Sequence, residues 1–107
     1  MRNEVVIQKM TAYIEKIFGY CEKQTYENFE KNSVLIEACV FNLSQLGELV
    51  TKLDTDFVET HSEIPWRQMR GLRNRIVHDY EGVNLILVWE IITNDLPDLL
   101  KRLREIV

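Results

Sequence analysis

A chain of 107 residues that is 46 % hydrophobic and 28 % charged, with four glycines and two prolines, is one globular domain, too apolar for disorder and too poor in turn formers for a β fold. Its 17 acidic side chains outnumber the 13 basic ones, and a net charge of −4 excludes a protein drawn to nucleic acid by its overall field. Cys21 and Cys39, the two cysteines, stand at apolar positions of predicted helices and read as buried thiols, not as a disulfide scaffold or a metal motif.

Met1–Arg2–Asn3–Glu4 runs straight into an amphipathic pattern without a signal-peptide core, and no apolar run approaches the roughly 18 residues needed to span a bilayer. A cytoplasmic protein that makes no membrane contact is expected. From Val5 to Cys21, the residues Ile7, Met10, Ile14, Ile17, Phe18 and Cys21 recur at helical spacing and predict one long helix. Glu22 to Glu30 is polar with two aromatics, and Asn32 or Ser33 can cap a second helix. The stripe of that helix runs through Leu35, Cys39, Asn42 or Leu43, Leu46, Leu49 or Val50, and Leu53. Within it Asn42, Gln45 and Glu48 form a polar ladder, expected outside the core as solvated surface or as the wall of a polar cleft. Thr51 to Ser62 is acidic and weakly periodic, a short helix between loops, with His61 expected at the surface.

Pro65 suits the first turn of a helix expected to run from about Pro65 to Asp79, with Trp66, Met69, Leu72, Ile76 and Val77 on or beside its buried side. Gly71 in mid-helix costs roughly 1 kcal/mol against Ala, which suggests close approach by another helix, and Gly82 is expected as the C-cap. Val83 to Ile92 is almost wholly apolar; a lone strand would leave its backbone unpaired, so a helix is expected. One small core cannot absorb so apolar a helix, which points to burial against a second subunit. Pro97 should kink or restart it after Asn94 and Asp95, and Leu96, Leu99, Leu100, Leu103 and Ile106 complete the last stripe. The whole chain, residues 1–107, reads as a single all-α domain.

The most informative stretch is Arg73–Asn74–Arg75–Ile76–Val77–His78–Asp79–Tyr80. On a continuous helix Asn74 and His78 share a face, and Arg73 lies about 140° round from His78, near enough to border one polar depression. An imidazole titrating near neutrality can take or give a proton, and a planar guanidinium can grip two phosphate oxygens. Together these are the parts needed to cleave a phosphodiester without metal. Each has a plainer alternative: His78 as a structural cap at a helix end, Arg73 as an ion-pair partner of Glu48 or another acid, Tyr80 as a packing residue. Arg67, Arg70, Arg73 and Arg75 make a local basic stretch with no acid between Glu63 and Asp79. The two histidines, His61 and His78, lack zinc spacing, and no phosphate-binding glycine loop is present.

Ile64 to Tyr80, with Arg73, four residues, His78, one residue and Tyr80, resembles the signature of the HepT-like family of the HEPN superfamily. Phe41–Asn42–Leu43–Ser44–Gln45–Leu46–Gly47–Glu48 and Val88–Trp89–Glu90 leading to Asn94–Asp95–Leu96–Pro97 are similar to it as well. The resemblance implies a HEPN-like antiparallel bundle of about four to five helices that forms a homodimer, with the two motifs facing a shared cleft. It also implies a metal-independent endoribonuclease acting as the toxin of a toxin–antitoxin pair. The implied partner is an MntA-like minimal nucleotidyltransferase antitoxin that uses ATP and Mg²⁺ to transfer AMP to Tyr80.

On this reading Arg73 and His78 are catalytic, His78 as proton donor or acceptor and Arg73 as the stabiliser of transition-state charge. Asn74, Asp79 and Glu48 support them, Arg67, Arg70 and Arg75 bind RNA phosphates, and no metal or other cofactor takes part in cleavage. The competing reading is a non-catalytic helical dimer that binds a nucleotidyltransferase or nucleotides and cuts nothing.

Overall fold

The computed structural model describes residues 2–79 and 82–106, with only the backbone described at 77–79 and 82. Two long helices form its centre: α1 (Asn3–Cys21) and α3 (Ser33–Leu49). They run antiparallel, since Asn3 at the start of α1 meets Asp54 beyond the end of α3, and Cys21 at the end of α1 meets Cys39. Val6, Ile7, Met10, Ile14 and Ile17 of α1 pack with Leu35, Cys39, Leu43 and Leu46 of α3 in the main core. The spacing-based stripes therefore describe real buried faces. Asn32 caps α3, accepting the Leu35 N–H at 3.0 Å.

Asn42 departs from expectation. It is buried, with 4 % of its surface exposed, and its Nδ2 donates to the Ala38 carbonyl at 2.7 Å, one helical turn back. The ladder thus turns outward along its length, from buried Asn42 through half-buried Gln45 to exposed Glu48. Ser33–Lys52, α3 with the 3₁₀ turn Val50–Lys52, is long and apolar enough by composition to cross a membrane, at a mean hydropathy of 1.3, although its sequence shows no unbroken apolar run. Leu35, Cys39, Leu43 and Leu46 face the centre of the bundle, while Val34 and Phe41 stay exposed.

Between α1 and α3, Cys21–Gln24 forms a turn closed by the Gln24 N–H to the Cys21 carbonyl, with Lys23 at φ 63° where glycine would be favoured. The short α2 (Tyr26–Glu30) comes next, capped by Thr25. Its Phe29 is fully buried, its ring 5.0 Å from that of Trp89 and tilted 40° to it. After α3 comes α4 (Thr55–Thr60), the short helix expected there. His61, expected at the surface, is instead partly buried behind it. Its ring lies 4.6 Å from that of Phe57, and its carbonyl accepts the Trp66 indole N–H at 2.9 Å.

The helix expected from Pro65 to Asp79 is three elements: α5 (Trp66–Arg70), α6 (Leu72–Ile76) and strand β1 (Val77–Asp79). β1 pairs antiparallel with β2 (Gly82–Val83), so Gly82 begins a strand and is not a helix cap. The β-branched pair Ile76–Val77 favours the extended backbone that leaves the helix here. Nor does Gly71 mark a close approach: a Cβ there would find no atom nearer than the Arg67 carbonyl oxygen at 3.5 Å. The close approach is at Gly47 on α3, where a Cβ would lie 2.5 Å from the Met69 carbonyl oxygen of α5.

Asn84 caps α7 (Leu85–Glu90), which continues through a π-helical turn (Ile91–Asp95) into α8 (Leu96–Glu105). Pro97, with no N–H to give the Thr93 carbonyl, is the reason for the irregularity. The Leu96 N–H reaches back five residues to Ile91 instead of four. Leu96, Leu99, Leu100 and Leu103 bury one side of α8. Arg104 pairs with Glu15 of α1 at 3.0 Å, and Arg102 donates to the Glu63 carbonyl. The molecule is an all-α bundle carrying one minimal β ribbon.

Candidate functional site

Leu72 and Ile76, one turn apart on α6, are both buried. They fix the helix against α3, and the three residues between them, Arg73, Asn74 and Arg75, are exposed. Arg67 and Arg70, three apart on α5, are exposed as well. The sequence therefore produces a solvated cationic rim by burying its apolar partners, Trp66, Met69, Leu72 and Ile76. Among the described residues no ion pair joins Arg73 to Glu48, and both are exposed, so Glu48 is not a structural clamp on that guanidinium.

Two of the four arginines part company in space. Arg75 lines a cleft of about 330 Å³ whose floor includes Met69, Leu72, Leu96 and Leu99 and whose rim carries Gln68, Asn94, Asp95 and Asp98. Arg73 does not line it. Two acidic neighbours in that cleft make Arg75 a weaker candidate for a phosphate than Arg73.

The motif changes conformation between its two ends. Arg73 stands on α6, whereas His78 lies in β1, beyond the end of the helix at Ile76. The expected sharing of one helix face by Asn74 and His78 does not hold. The ribbon pairs Val77 with Val83 and Asp79 with Gly82, so His78 is the additional residue of an irregular register. Such irregularities bend a strand and re-aim what it carries. The Asn84 N–H closes the ribbon on the Ile76 carbonyl at 3.0 Å. Tyr80 lies outside the described residues, as do the side chains of His78 and Asp79. Among the described residues no group of three or more His, Cys, Asp or Glu side chains could hold a metal ion.

Residues 10–106 match the family model described as Ribonuclease HepT-like. The chain belongs to the HepT-like family. Among its relatives, a "Putative RNase" of Caldanaerobacter subterraneus subsp. tengcongensis is 36 % identical over 104 residues, 97 % of this chain and 89 % of that protein. A second "Putative RNase", from Methanocaldococcus jannaschii, is 37 % identical over 76 residues, 71 % of this chain and 70 % of its own length. The "Probable ribonuclease HepT" of Thermococcus cleftensis is 29 % identical over 93 residues, covering 87 % and 84 % of the two chains. No solved structure matches significantly. The HepT-like match takes in α5, α6, the ribbon and everything after them, so the basic rim and the Arg73–His78 motif both lie inside it.

Sequence reasoning passed over two features of this HepT-like domain. It treated Cys21 and Cys39 as isolated, and the antiparallel packing of α1 on α3 places their sulfurs 3.5 Å apart. It also credited Gly71 with the helix crossing that Gly47 makes possible. Each depends on which helix lies against which, and spacing along one helix does not contain that information.

Proposed function

We propose that this chain is a metal-independent endoribonuclease whose reacting groups are Arg73 and His78. The observation that carries the reading is the solvated Arg73 at the end of a helix anchored by Leu72 and Ile76, five residues before His78, in a HepT-like chain. His78 takes the proton of a ribose 2′-OH, and the 2′ oxygen attacks phosphorus as the 5′ oxygen departs with a proton from the partner subunit's His78. The products are a 2′,3′-cyclic phosphate and a 5′-OH end. Arg73 offers two N–H groups to the phosphorane-like transition state, and Asn74, Asp79 and exposed Glu48 support the pair. Arg67 and Arg70, with Arg75 at the side, give an acidic protein a local hold on a polyanion.

The active form on this reading is a homodimer. Ile86 on α7 is 62 % exposed, and Phe41 on α3 is 59 % exposed, apolar surface that a second copy would cover. A stable monomer in light scattering at micromolar concentration would overturn the shared-cleft arrangement. The biological setting proposed is a toxin held silent by an MntA-like nucleotidyltransferase that places AMP on Tyr80.

The deciding experiment incubates the purified chain with total cellular RNA in EDTA and analyses the product ends. Cleavage to cyclic phosphate ends that is lost in His78→Ala supports the proposal. Equal cleavage by His78→Ala would transfer the function to binding a nucleotidyltransferase or nucleotides.

A further inference from the structure

Cys21 and Cys39 stand apart from the proposed ribonuclease chemistry, and their geometry supplies a second kind of reactivity. The last residue of α1 and a residue in the middle of α3 bring their Sγ atoms to 3.5 Å. Cys39 is fully buried, whereas Cys21 is only partly so. These are the two cysteines of the chain, eighteen positions apart.

We propose that Cys21 and Cys39 are a reversible thiol–disulfide pair, with Cys21 the peroxide-reactive sulfur and Cys39 the resolving one. The Cys21 thiolate attacks one oxygen of a hydroperoxide, forming a sulfenic acid and releasing water or an alcohol once the leaving oxygen is protonated. The Cys39 sulfur then attacks the Cys21 sulfur and the hydroxyl departs as water, so two thiols are oxidised and one peroxide is reduced. A thiol reductant reverses the step by exchange.

Exposure decides which sulfur meets the oxidant, and the hydrogen bond decides which carries the charge. The hydrogen bond between the two sulfurs holds the Cys21 thiol below its ordinary value, against the opposing effect of burial. The same hydrogen bond, with burial and the neighbouring sulfur's charge, pushes Cys39 well up. Thus the accessible sulfur is the nucleophile and the buried one keeps its proton until the second step. Bonding requires the sulfurs to close to about 2.05 Å, and Cys21, the last residue of α1 beside a turn, is placed to make that movement. The bond would enclose the turn at Lys23 and all of α2, including Tyr26 and Phe29.

The test treats the full chain with hydrogen peroxide, alkylates free thiols under denaturing conditions, and measures intact mass and mobility on a non-reducing gel. The expected product is a monomeric chain, lighter by the loss of two hydrogens (~2 Da), that takes no alkyl group and regains both thiols with dithiothreitol. Its thermal midpoint should stand roughly 10 °C above that of the reduced chain, because closing a loop of this length removes freedom from the unfolded state. Cys39→Ser should stop at a dimedone-reactive Cys21, and Cys21→Ser should leave Cys39 unreacted. Two alkylated thiols after peroxide, a disulfide between chains, or equal oxidation of Cys39 in Cys21→Ser would each overturn the proposal. None of these readouts depends on RNA cleavage.

Discussion

The Asn84 backbone N–H donates to the Ile76 carbonyl at 3.0 Å, tying together the two ends of the segment that carries His78 and Tyr80. The Asn84 side chain meanwhile accepts the Leu87 N–H at 3.0 Å and starts α7. One residue thus ends the ribbon and begins the helix. Asn84→Ala should keep the first bond and lose the second, lowering stability by about 1 kcal/mol. Asn84→Asp, which can still accept, should stay within about 0.5 kcal/mol of the parent chain. Urea unfolding of the two variants checks the contrast, and equal losses would remove the capping role.

Arg73 is exposed and its neighbours Leu72 and Ile76 hold the helix, so its removal should leave the fold alone. We expect Arg73→Ala to change unfolding free energy by less than about 0.5 kcal/mol while reducing RNA cleavage roughly 100-fold or more. Arg73→Lys should recover little, because an ammonium does not reproduce the two-pronged fork. Unchanged circular dichroism alongside unchanged cleavage would remove Arg73 from the reaction.

For Tyr80 the proposal separates control from catalysis. A phenol bearing AMP would bring bulk and negative charge to a residue two positions from His78, repelling RNA and competing for Arg73. Tyr80→Phe should therefore keep cleaving yet escape silencing by the nucleotidyltransferase with ATP and Mg²⁺. Peptide mass measurements should find AMP on Tyr80 in the parent chain. Modification at another residue, or a Tyr80→Phe protein still silenced by ATP and the partner, would overturn the switch.

Two glycines should answer to alanine with opposite signs. At Gly47 the added Cβ would meet the Met69 carbonyl oxygen at 2.5 Å, and α3 would have to move off α5. We expect Gly47→Ala to cost about 1–3 kcal/mol. At Gly71 the nearest atom is at 3.5 Å, ordinary contact, so Gly71→Ala should be neutral or stabilising by up to ~1 kcal/mol. Thermal midpoints moving in the same direction would contradict the packing described.

Periodicity identified the faces of α1, α3 and α8 because burial on one side of a long helix repeats several times along the chain. The short α2 escaped it: five residues contain too little repeat, and Phe29 packs in part against Trp89, far along the sequence. The motif region was legible as chemistry but not as backbone. Arginines and Asn74 at helical spacing do not reveal that the chain leaves the helix at Ile76, which depends on Val83 and Asn84 returning to pair with it. The buried Asn42 misled for a related reason, since the helix itself satisfies its side chain through the Ala38 carbonyl.

The π turn at Ile91–Asp95 has a consequence for chain length. A wide turn holds one residue more than an α turn, and each residue rotates a helix by about 100°. Val88, Ile92, Leu96 and Leu100, four apart throughout, face the core together only because that surplus residue is present. Deleting one position between 91 and 95 would remove that surplus residue and swing α7 round relative to α8 by about 100°. Val88 would leave the core and Trp89 its place on Phe29, and the ribbon tied to α7 through Asn84 would turn with them. The direction in which the His78 segment faces thus depends on the number of residues some fifteen positions downstream.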